Sequence, residues 1–137
     1  MPYRTEFIDG GTGVLNVGSG VVTSAEIIEG ARTVQRDESR AKRLTHGLTD
    51  LTDVSELRVT TAELRLIVDA SRKTAQLVPR GIVAIVAPRD HAFGMARMWE
   101  LLIDEAGWTT RVFRDRVEAE LWLREQLGAA GLSDSSL

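Results

Sequence analysis

The chain has 137 residues, of which 43% are apolar and 27% are charged, and its formal net charge is -3. These values are typical of one globular domain and exclude disordered, collagen-like and coiled-coil proteins. The sequence contains no cysteine and only two histidines, which excludes disulfides, thiolate metal sites and cysteine nucleophiles. The slightly acidic balance predicts no nucleic-acid partner.

Membrane insertion is not expected from the sequence. No stretch approaches the roughly 18 to 20 apolar residues that a membrane-spanning helix needs. The first residues also lack the apolar core of a signal peptide. We therefore expect a cytoplasmic protein.

The first third of the sequence predicts a β-hairpin and a helix. Phe7 and Ile8 lead into a glycine-rich turn at 9–13, after which an apolar strand continues. The glycines of the turn favour the positive φ angles that a tight hairpin needs. Thr23 and Glu26 then have the spacing of a capping box, which predicts a helix from about Ser24 to Arg36.

The middle of the sequence predicts a strand between two helices. The mixed charges at 36–43 indicate a solvated connection, and a strand follows from about Leu44 to Leu51. The polar stretch 52–55 is typical of the loop that leaves this strand. Thr60 and Glu63 repeat the capping-box spacing, so a second helix is expected from about Thr61 to Gln76.

The last third predicts two strands, each followed by a helix. The apolar run from Ile82 to Ala87 does not alternate, as expected for a strand buried on both faces of a parallel sheet. A helix with a wide apolar stripe follows and ends at Gly107. A last strand from Trp108 to Phe113 precedes a last helix. The side chains predicted to form the buried face of that helix are Val117, Leu121, Trp122 and Leu127.

The predicted order is therefore β-β-α-β-α-β-α-β-α. Alternating strands and helices indicate an α/β fold with a mixed, mostly parallel five-stranded sheet and about four helices. The first strand is antiparallel because a hairpin joins it to the second. We expect one domain at residues 1–127 and a flexible tail at 128–137, which is rich in Gly, Ala and Ser.

Several sequence blocks resemble the SpoIIAA-like (STAS/Sec14-like) family of small bacterial proteins, which are related to anti-sigma factor antagonists. The blocks are Gly13-Val14-Leu15, Ser19 to Thr23, Leu48-Thr49-Asp50-Leu51, Ala84 to Asp90, and Phe93 to Met98. The resemblance spans nearly the whole chain, and the block from Ala84 is the most specific. It implies a five-stranded sheet with four helices and a role in binding rather than in chemistry.

The sequence departs from the antagonists at their phosphorylation motif. The resemblance implies an Asp-Ser-Ser-Gly motif after the third strand, whose serine controls partner binding when phosphorylated. This chain has Thr60 and Thr61 there. Either threonine could receive a phosphate at the helix N-terminus, where negative charge is favourable. Alternatively, Thr60 is only the N-cap that pairs with Glu63.

The candidate binding site lies at the carboxyl edge of the sheet. In an open parallel sheet, ligands bind beyond the carboxyl ends of the strands, where helix N-termini present free N–H groups. The arginines there would suit a phosphate or carboxylate, although they could equally be solvated while the aspartate caps a helix. The candidate residues are Asp50, Thr60, Thr61, Arg89, Asp90, His91 and Arg114.

No enzymatic, metal or cofactor site is predicted. His91 beside Asp90 is the better acid–base candidate, but adjacent residues at a helix start do not face each other, and no nucleophile motif accompanies them. His46 is expected to be a surface residue at the amino edge. The Gly-x-Gly segments at 11–13 and 18–20 lack the remainder of a phosphate-binding motif.

Two classes of function remain. The first is a regulatory module that binds a protein partner, with phosphorylation of Thr60 or Thr61 as a switch. The second is a carrier of a small apolar anion or lipid-like molecule, which requires an internal pocket; a filled core would count against it. A free edge strand or an apolar helix face would allow a homodimer, which the sequence leaves open.

Overall fold

A computed structural model describes residues 2–131. The sheet has five strands in the order β1-β2-β3-β4-β5. They are β1 (Tyr3–Ile8), β2 (Gly13–Thr23), β3 (His46–Arg58), β4 (Ile82–Val86) and β5 (Thr109–Phe113). β1 pairs antiparallel with β2, and the remaining neighbours pair in parallel, which confirms the predicted topology.

The helices connect these strands in the predicted order. They are α1 (Ser24–Arg36), α2 (Glu38–Ala41), α3 (Thr61–Leu77), α4 (Asp90–Ile103) and α5 (Arg116–Ala129). Both predicted capping boxes are present and fix the starts of α1 and α3. In each box the threonine hydroxyl accepts the N3 backbone N–H and the N3 glutamate accepts the N-cap N–H, which satisfies two orphan donors.

Glycines adopt left-handed backbone conformations, with positive φ, in the β1–β2 hairpin and at the end of α4. In the β1–β2 hairpin, Gly10 has φ 67° and Gly11 has φ 93°. After α4 and a short 3₁₀ turn, Gly107 has φ 89°, at the position expected for the glycine that ends a helix. Such angles cost little only for glycine.

Helices cover the two faces of the sheet unequally. Along β4, Val83 and Ile85 point to the face covered by α1, α3 and α4. Ile82, Ala84 and Val86 point to the other face, which α5 covers. The absence of alternation in this strand is therefore explained by burial on both sides, as predicted. We call these the three-helix face and the α5 face.

The third strand is longer than predicted. It runs from His46 to Arg58, so the stretch 52–55, expected to be a loop, is strand. Only its first part pairs with β4, whereas the rest pairs with β2 through two register shifts. Such irregularities change the side-chain alternation, which is why Leu51, Val54 and Leu57 are all buried on the three-helix face.

Two other expectations need correction. The charged run predicted as a connection contains the short helix α2, because Ala41 is fully buried. Val117 and Leu121, expected in the buried face of the last helix, are exposed, whereas Trp122 and Leu127 are buried as predicted. Trp122 packs on Phe113, so the buried arc of α5 is narrower than the apolar pattern suggested.

The predicted division into a domain at 1–127 and a tail at 128–137 stays a prediction. Helix α5 continues to Ala129. Residues 132–137 lie outside the described residues. Among the described helices, none is long and apolar enough to cross a membrane.

Candidate functional site

The structure brings two of the predicted site residues together at the carboxyl edge. Arg114, just after β5, forms an ion pair with Asp90 at the start of α4, with an N–O distance of 2.8 Å. The same guanidinium donates to the Pro88 carbonyl at 2.9 Å and lies over the Phe93 ring, 4.3 Å from its centroid. Asp90 is nevertheless 94% exposed, so the pair is screened by water.

The other predicted residues of this edge do not complete an anion site. Arg89 and His91 are exposed on either side of Asp90. Arg89 is the N-cap of α4, and its side chain makes no capping hydrogen bond. The nearest positive charge, on Arg114, is compensated by Asp90. A concentrated positive potential that would hold a phosphate is therefore not formed by these side chains.

Asp50 has a structural environment that the sequence did not reveal. It was expected after the third strand but lies within β3, opposite Val86 of β4. Its carboxylate accepts hydrogen bonds from Thr52 and, at 3.0 Å, from Arg116 at the start of α5. Burial acts to raise the pKa of Asp50, but these hydrogen bonds outweigh it and hold the pKa below its usual value.

Arg116 is the residue of this cluster that sequence reasoning missed. Its guanidinium also binds Glu120 at 2.8 Å, one helical turn later. The i,i+4 spacing of Arg116 and Glu120 was visible in the sequence. The contact with Asp50, 66 positions away, was not. The arrangement docks the first turn of α5 on the sheet.

Thr60 and Thr61 lie apart from the cluster at Arg114. Beyond Asp50, β3 continues to Arg58 without pairing with β4, and the two threonines follow its end. The Thr60 hydroxyl accepts the Glu63 N–H at 3.1 Å, and Glu63 accepts the Ser24 hydroxyl at 3.0 Å. These bonds lower the pKa of Glu63, with the Thr60 backbone N–H as the main cause. Thr60 is thus the N-cap of α3. Thr61, the first residue of the helix, is exposed.

A partly open pocket, which we call the cavity, lies under the three-helix face. Its volume is about 190 Å³. Protein interiors are normally packed with few voids larger than a water molecule, so a cavity of this size is unusual for a small domain. It lies between the sheet and helices α1, α3 and α4. Apolar side chains supply most of the lining, among them Ile27, Val34, Leu51, Leu57, Leu64, Ile67, Val83, Ile85, Met95 and Trp99.

A strip of polar side chains crosses the cavity wall on the first three strands. Thr5 donates to Asn16 at 2.7 Å, and Asn16 donates to Thr49 at 3.2 Å. The phenol of Tyr3 faces Thr49. Burial raises the pKa of Tyr3 above its usual value, although Thr49 acts in the opposite direction. Tyr3 is therefore a neutral phenol at physiological pH.

Two tryptophans complete the wall from the opposite side. Trp99 of α4 donates to the Ser71 hydroxyl at 3.0 Å, and Trp108 donates to the Val78 carbonyl at 2.6 Å. Their ring centroids are 6.4 Å apart. Throughout residues 2–131, no buried side-chain nitrogen or oxygen lacks a hydrogen-bond partner. The fully buried polar atoms of the cavity wall are thus already paired.

His46 closes the amino end of the cavity and is not the surface residue that we expected. Its ring is buried. Nε2 lies 2.7 Å from Asp9 Oδ2 and Nδ1 lies 2.8 Å from the Thr45 hydroxyl. The ring packs so closely on Gly13 that a Cβ there would lie 2.4 Å from Nε2. The predicted location at the amino edge is confirmed, because His46 begins β3.

Metal-binding geometry does not occur among the residues that the structure describes. No group of three or more His, Asp or Glu side chains there could hold a metal ion. The polar clusters at Asp50, Arg114 and His46 each contain a hydrogen-bonded carboxylate with a basic partner. Their groups are arranged to pair with one another.

The fold agrees with that of a solved structure. An uncharacterized protein from the DUF3478 family of Shewanella loihica PV-4, described as having a SpoIIAA-like fold, matches with a TM-score of 0.55 over 88% of this chain and 91% of that chain. This chain has a SpoIIAA-like fold. The sequence identity is 16%, so the likeness concerns the fold alone. The resemblance stated from the sequence is confirmed at that level.

Other comparisons add little. The anti-sigma factor antagonist SpoIIAA in its unphosphorylated form matches with a TM-score of 0.49 and 14% identity, over 90% of this chain and 97% of that chain. No family model matches the sequence. No curated protein matches it at a significant level.

Proposed function

We propose that this chain is a non-enzymatic regulatory module that works by binding a protein partner. The resemblance seen in the sequence supports this proposal, because it implies a role in binding rather than in chemistry. The observation that carries the proposal is on α4. This helix is apolar on its outer side as well as on its inner side, which the fold itself does not require.

The outer side of α4 supplies the partner surface. Met98 is 38% exposed and Leu101 is 72% exposed, and their spacing places both on one side of the helix. Gly94 extends the same side by one turn, and it has open space where a side chain would be. Arg97 and Glu100 beside them are paired at 2.6 Å. A polar rim around apolar side chains is typical of protein contact surfaces.

Site-specific cross-linking tests this proposal. A photoreactive amino acid at Leu101 should capture one defined protein in host cells. The same amino acid at Leu121, an exposed leucine on the outer side of α5, is the matched control. After purification of the captured protein, Leu101→Glu should abolish binding and Leu121→Glu should not. Capture from position 121 alone, or equal binding by both variants, would contradict the assignment to α4.

Phosphorylation of Thr60 or Thr61 would regulate this module. Because Thr60 Oγ1 accepts the Glu63 N–H, a phosphate there would disturb the capping box, whereas Thr61 is free of that role. A phosphate at the α3 N-terminus is electrostatically favourable. Intact-mass measurement of protein from host cells tests this switch. An added phosphate located at Thr61 supports it, and unmodified protein under every growth condition contradicts it.

Binding of a small molecule is the second candidate function. The cavity of about 190 Å³ favours it, because the carrier hypothesis requires an internal pocket rather than a filled core. Native mass spectrometry of the protein from its host tests this function. A ligand mass that disappears on denaturation supports it, and bare protein in every preparation contradicts it.

A further inference from the structure

We propose that β1 is an interaction surface for a second copy of this chain, in which the two β1 strands pair antiparallel about a two-fold axis. The axis passes through Thr5, so Arg4 of each copy lies opposite Glu6 of the other. The two five-stranded sheets then form one continuous sheet. The proposal goes beyond the proposed function, because it assigns a second surface. Strand β1 ends the sheet on one side, whereas α4 packs on β3 and β5.

The free edge of β1 presents backbone groups at every second residue. Ser19 donates its N–H to the Pro2 carbonyl at 2.7 Å, which makes residue 2 a hydrogen-bonded partner of β2. Such pairs recur at every second residue of an antiparallel ladder, so the even-numbered residues of β1 direct their N–H and C=O groups to β2. The odd-numbered residues Tyr3, Thr5 and Phe7 direct theirs away from the sheet. A row of such groups is a template for another strand.

Two charges of opposite sign lie unpaired on the same strand. Arg4 and Glu6 are exposed, and among the described residues neither forms an ion pair. They alternate with Tyr3, which belongs to the core of the three-helix face, so they point to the α5 face. Helix α5 packs mainly on β3, β4 and β5, which leaves the two side chains accessible to a partner strand.

The charges select one register for the pair. Because the free backbone groups are on odd-numbered residues, the axes that keep most of β1 paired pass through Arg4, Thr5 or Glu6. An axis through Thr5 gives about six N–H···O bonds, two for each hydrogen-bonded pair. It also places Arg4 opposite Glu6 twice, in non-hydrogen-bonded pairs, whose side chains are closest. An axis through Arg4 or Glu6 places like charges opposite each other, which is destabilising.

The other edge of the sheet lacks this complementarity. Strand β5 has one charged residue, Arg111, and it is exposed. A two-fold pair of β5 strands therefore brings no opposite charges together, and an axis through Arg111 sets two arginines against each other. Charged residues normally protect an edge strand from pairing with another chain. On β5 the single charge does so in every register, whereas on β1 the two charges permit the register through Thr5.

Sedimentation equilibrium of the purified protein tests the proposal through the dissociation constant of the dimer. Arg4→Glu and Glu6→Arg should each raise this constant by about ten-fold or more, because each places like charges opposite each other at both ends of the interface. The two substitutions combined in one chain should restore the wild-type value, since they only exchange the charges. A mixture of the two single variants should dimerise for the same reason. Arg111→Glu, the matched control on β5, should leave the constant unchanged.

Engineered cysteines test the register independently. The chain contains no cysteine, so disulfides form only at the introduced positions. The Arg4→Cys and Glu6→Cys variants should cross-link when mixed, because opposite residues of a non-hydrogen-bonded pair have Cα atoms roughly 4.5 Å apart, within the reach of a disulfide. Each variant alone should cross-link much less, because its cysteines are then diagonal neighbours roughly 7–8 Å apart.

The outcomes decide between the surface and its alternatives. A dimer that either charge reversal weakens, that their combination restores and that Arg111→Glu does not change supports the proposal. A protein that stays monomeric at its highest soluble concentration overturns it, and so does a dimer that Arg4→Glu does not weaken or that Arg111→Glu does. Equal cross-linking by one cysteine variant alone overturns the axis through Thr5. Circular dichroism establishes that the variants fold, and each of these results leaves the partner surface on α4 to its own test.

Discussion

The two faces of one sheet are packed in different ways. On the α5 face, one helix meets the sheet with large side chains, and the rings of Trp122 and Phe113 pack at a tilt with their centroids 5.6 Å apart. On the three-helix face, three helices bury a larger set of apolar side chains yet leave about 190 Å³ empty. A single domain thus combines a filled core on one face of the sheet with a core on the other face that leaves a cavity.

The difference follows from side-chain size and from the number of helices. At the centre of the three-helix face, α1 and α4 present small residues to the sheet: Ala31, Ala92 and Ala96. Three helices must also be spaced from one another, and small residues between them do not fill the gaps. A single helix can instead approach the sheet until its side chains interdigitate.

Removal of a buried leucine on each face should give the largest effect and the sharpest contrast. Leu123 belongs to the filled core, whereas Leu64 lines the cavity. Leu123→Ala should lower the free energy of unfolding by about 3–5 kcal/mol and Leu64→Ala by about 2–3 kcal/mol, because a side chain beside a void loses fewer contacts. Urea unfolding measures both. A larger decrease in the free energy of unfolding for Leu64→Ala would contradict the difference in packing between the two faces.

Substitution of Gly30 by alanine should show that side chains are closely packed where α1 contacts β1, at the edge of the three-helix face. A Cβ there would lie 2.7 Å from Thr5 Oγ1 and 2.8 Å from Tyr3 Cε2. Gly30→Ala should therefore cost about 1–3 kcal/mol. Gly94→Ala, a helical glycine with open space around it, is the matched control and should stabilise by roughly 0.5–1 kcal/mol. Thermal unfolding checks the opposite signs.

The charged contact on the α5 face should give the smallest effect, and it should depend on pH. Because the pKa of Asp50 is lowered in the folded protein, its contribution is present above the unfolded pKa of about 3.9 and is lost as the pH falls through the folded value. Asp50→Asn should destabilise by about 1 kcal/mol at neutral pH, since Arg116 is half-exposed.

Urea unfolding of wild type and Asp50→Asn over a series of pH values measures this difference. The difference should begin to shrink below about pH 4, and the two curves should meet once the pH lies below the folded pKa of Asp50. A difference that does not change with pH would show that the Asp50 charge does not contribute to stability. The conservative variant Arg116→Lys separates charge from geometry, because lysine keeps the charge without the two-pronged contact.

The sequence predicted the parts of this fold that depend on local signals. These signals involve residues that are close together in the sequence, and all are found in the structure. They are the capping boxes at Thr23 and Thr60, the hairpin glycines and the apolar strand from Ile82. The end of β3 was wrong because the polar residues 52–55 looked like a loop, whereas pairing with β2 keeps them extended.

The candidate site was harder to predict because its contacts join distant residues. The ion pair of Asp50 with Arg116 and the pair of His46 with Asp9 depend on the folded geometry. Val117 and Leu121 share an apolar character with the buried residues of α5, yet they lie on its outer side. The cavity is a space between side chains of several elements, and no sequence motif indicates such a space.

Xenon binding followed by amide NMR tests most directly whether only one face can hold a ligand. Xenon is neutral, apolar and small enough to enter a dry cavity. Under xenon pressure, amide signals beside the cavity, such as those of Val83 and Met95, should shift. Those of the filled core, such as Phe113 and Leu123, should not. Shifts of equal size on both faces, or none on the three-helix face, would contradict the account.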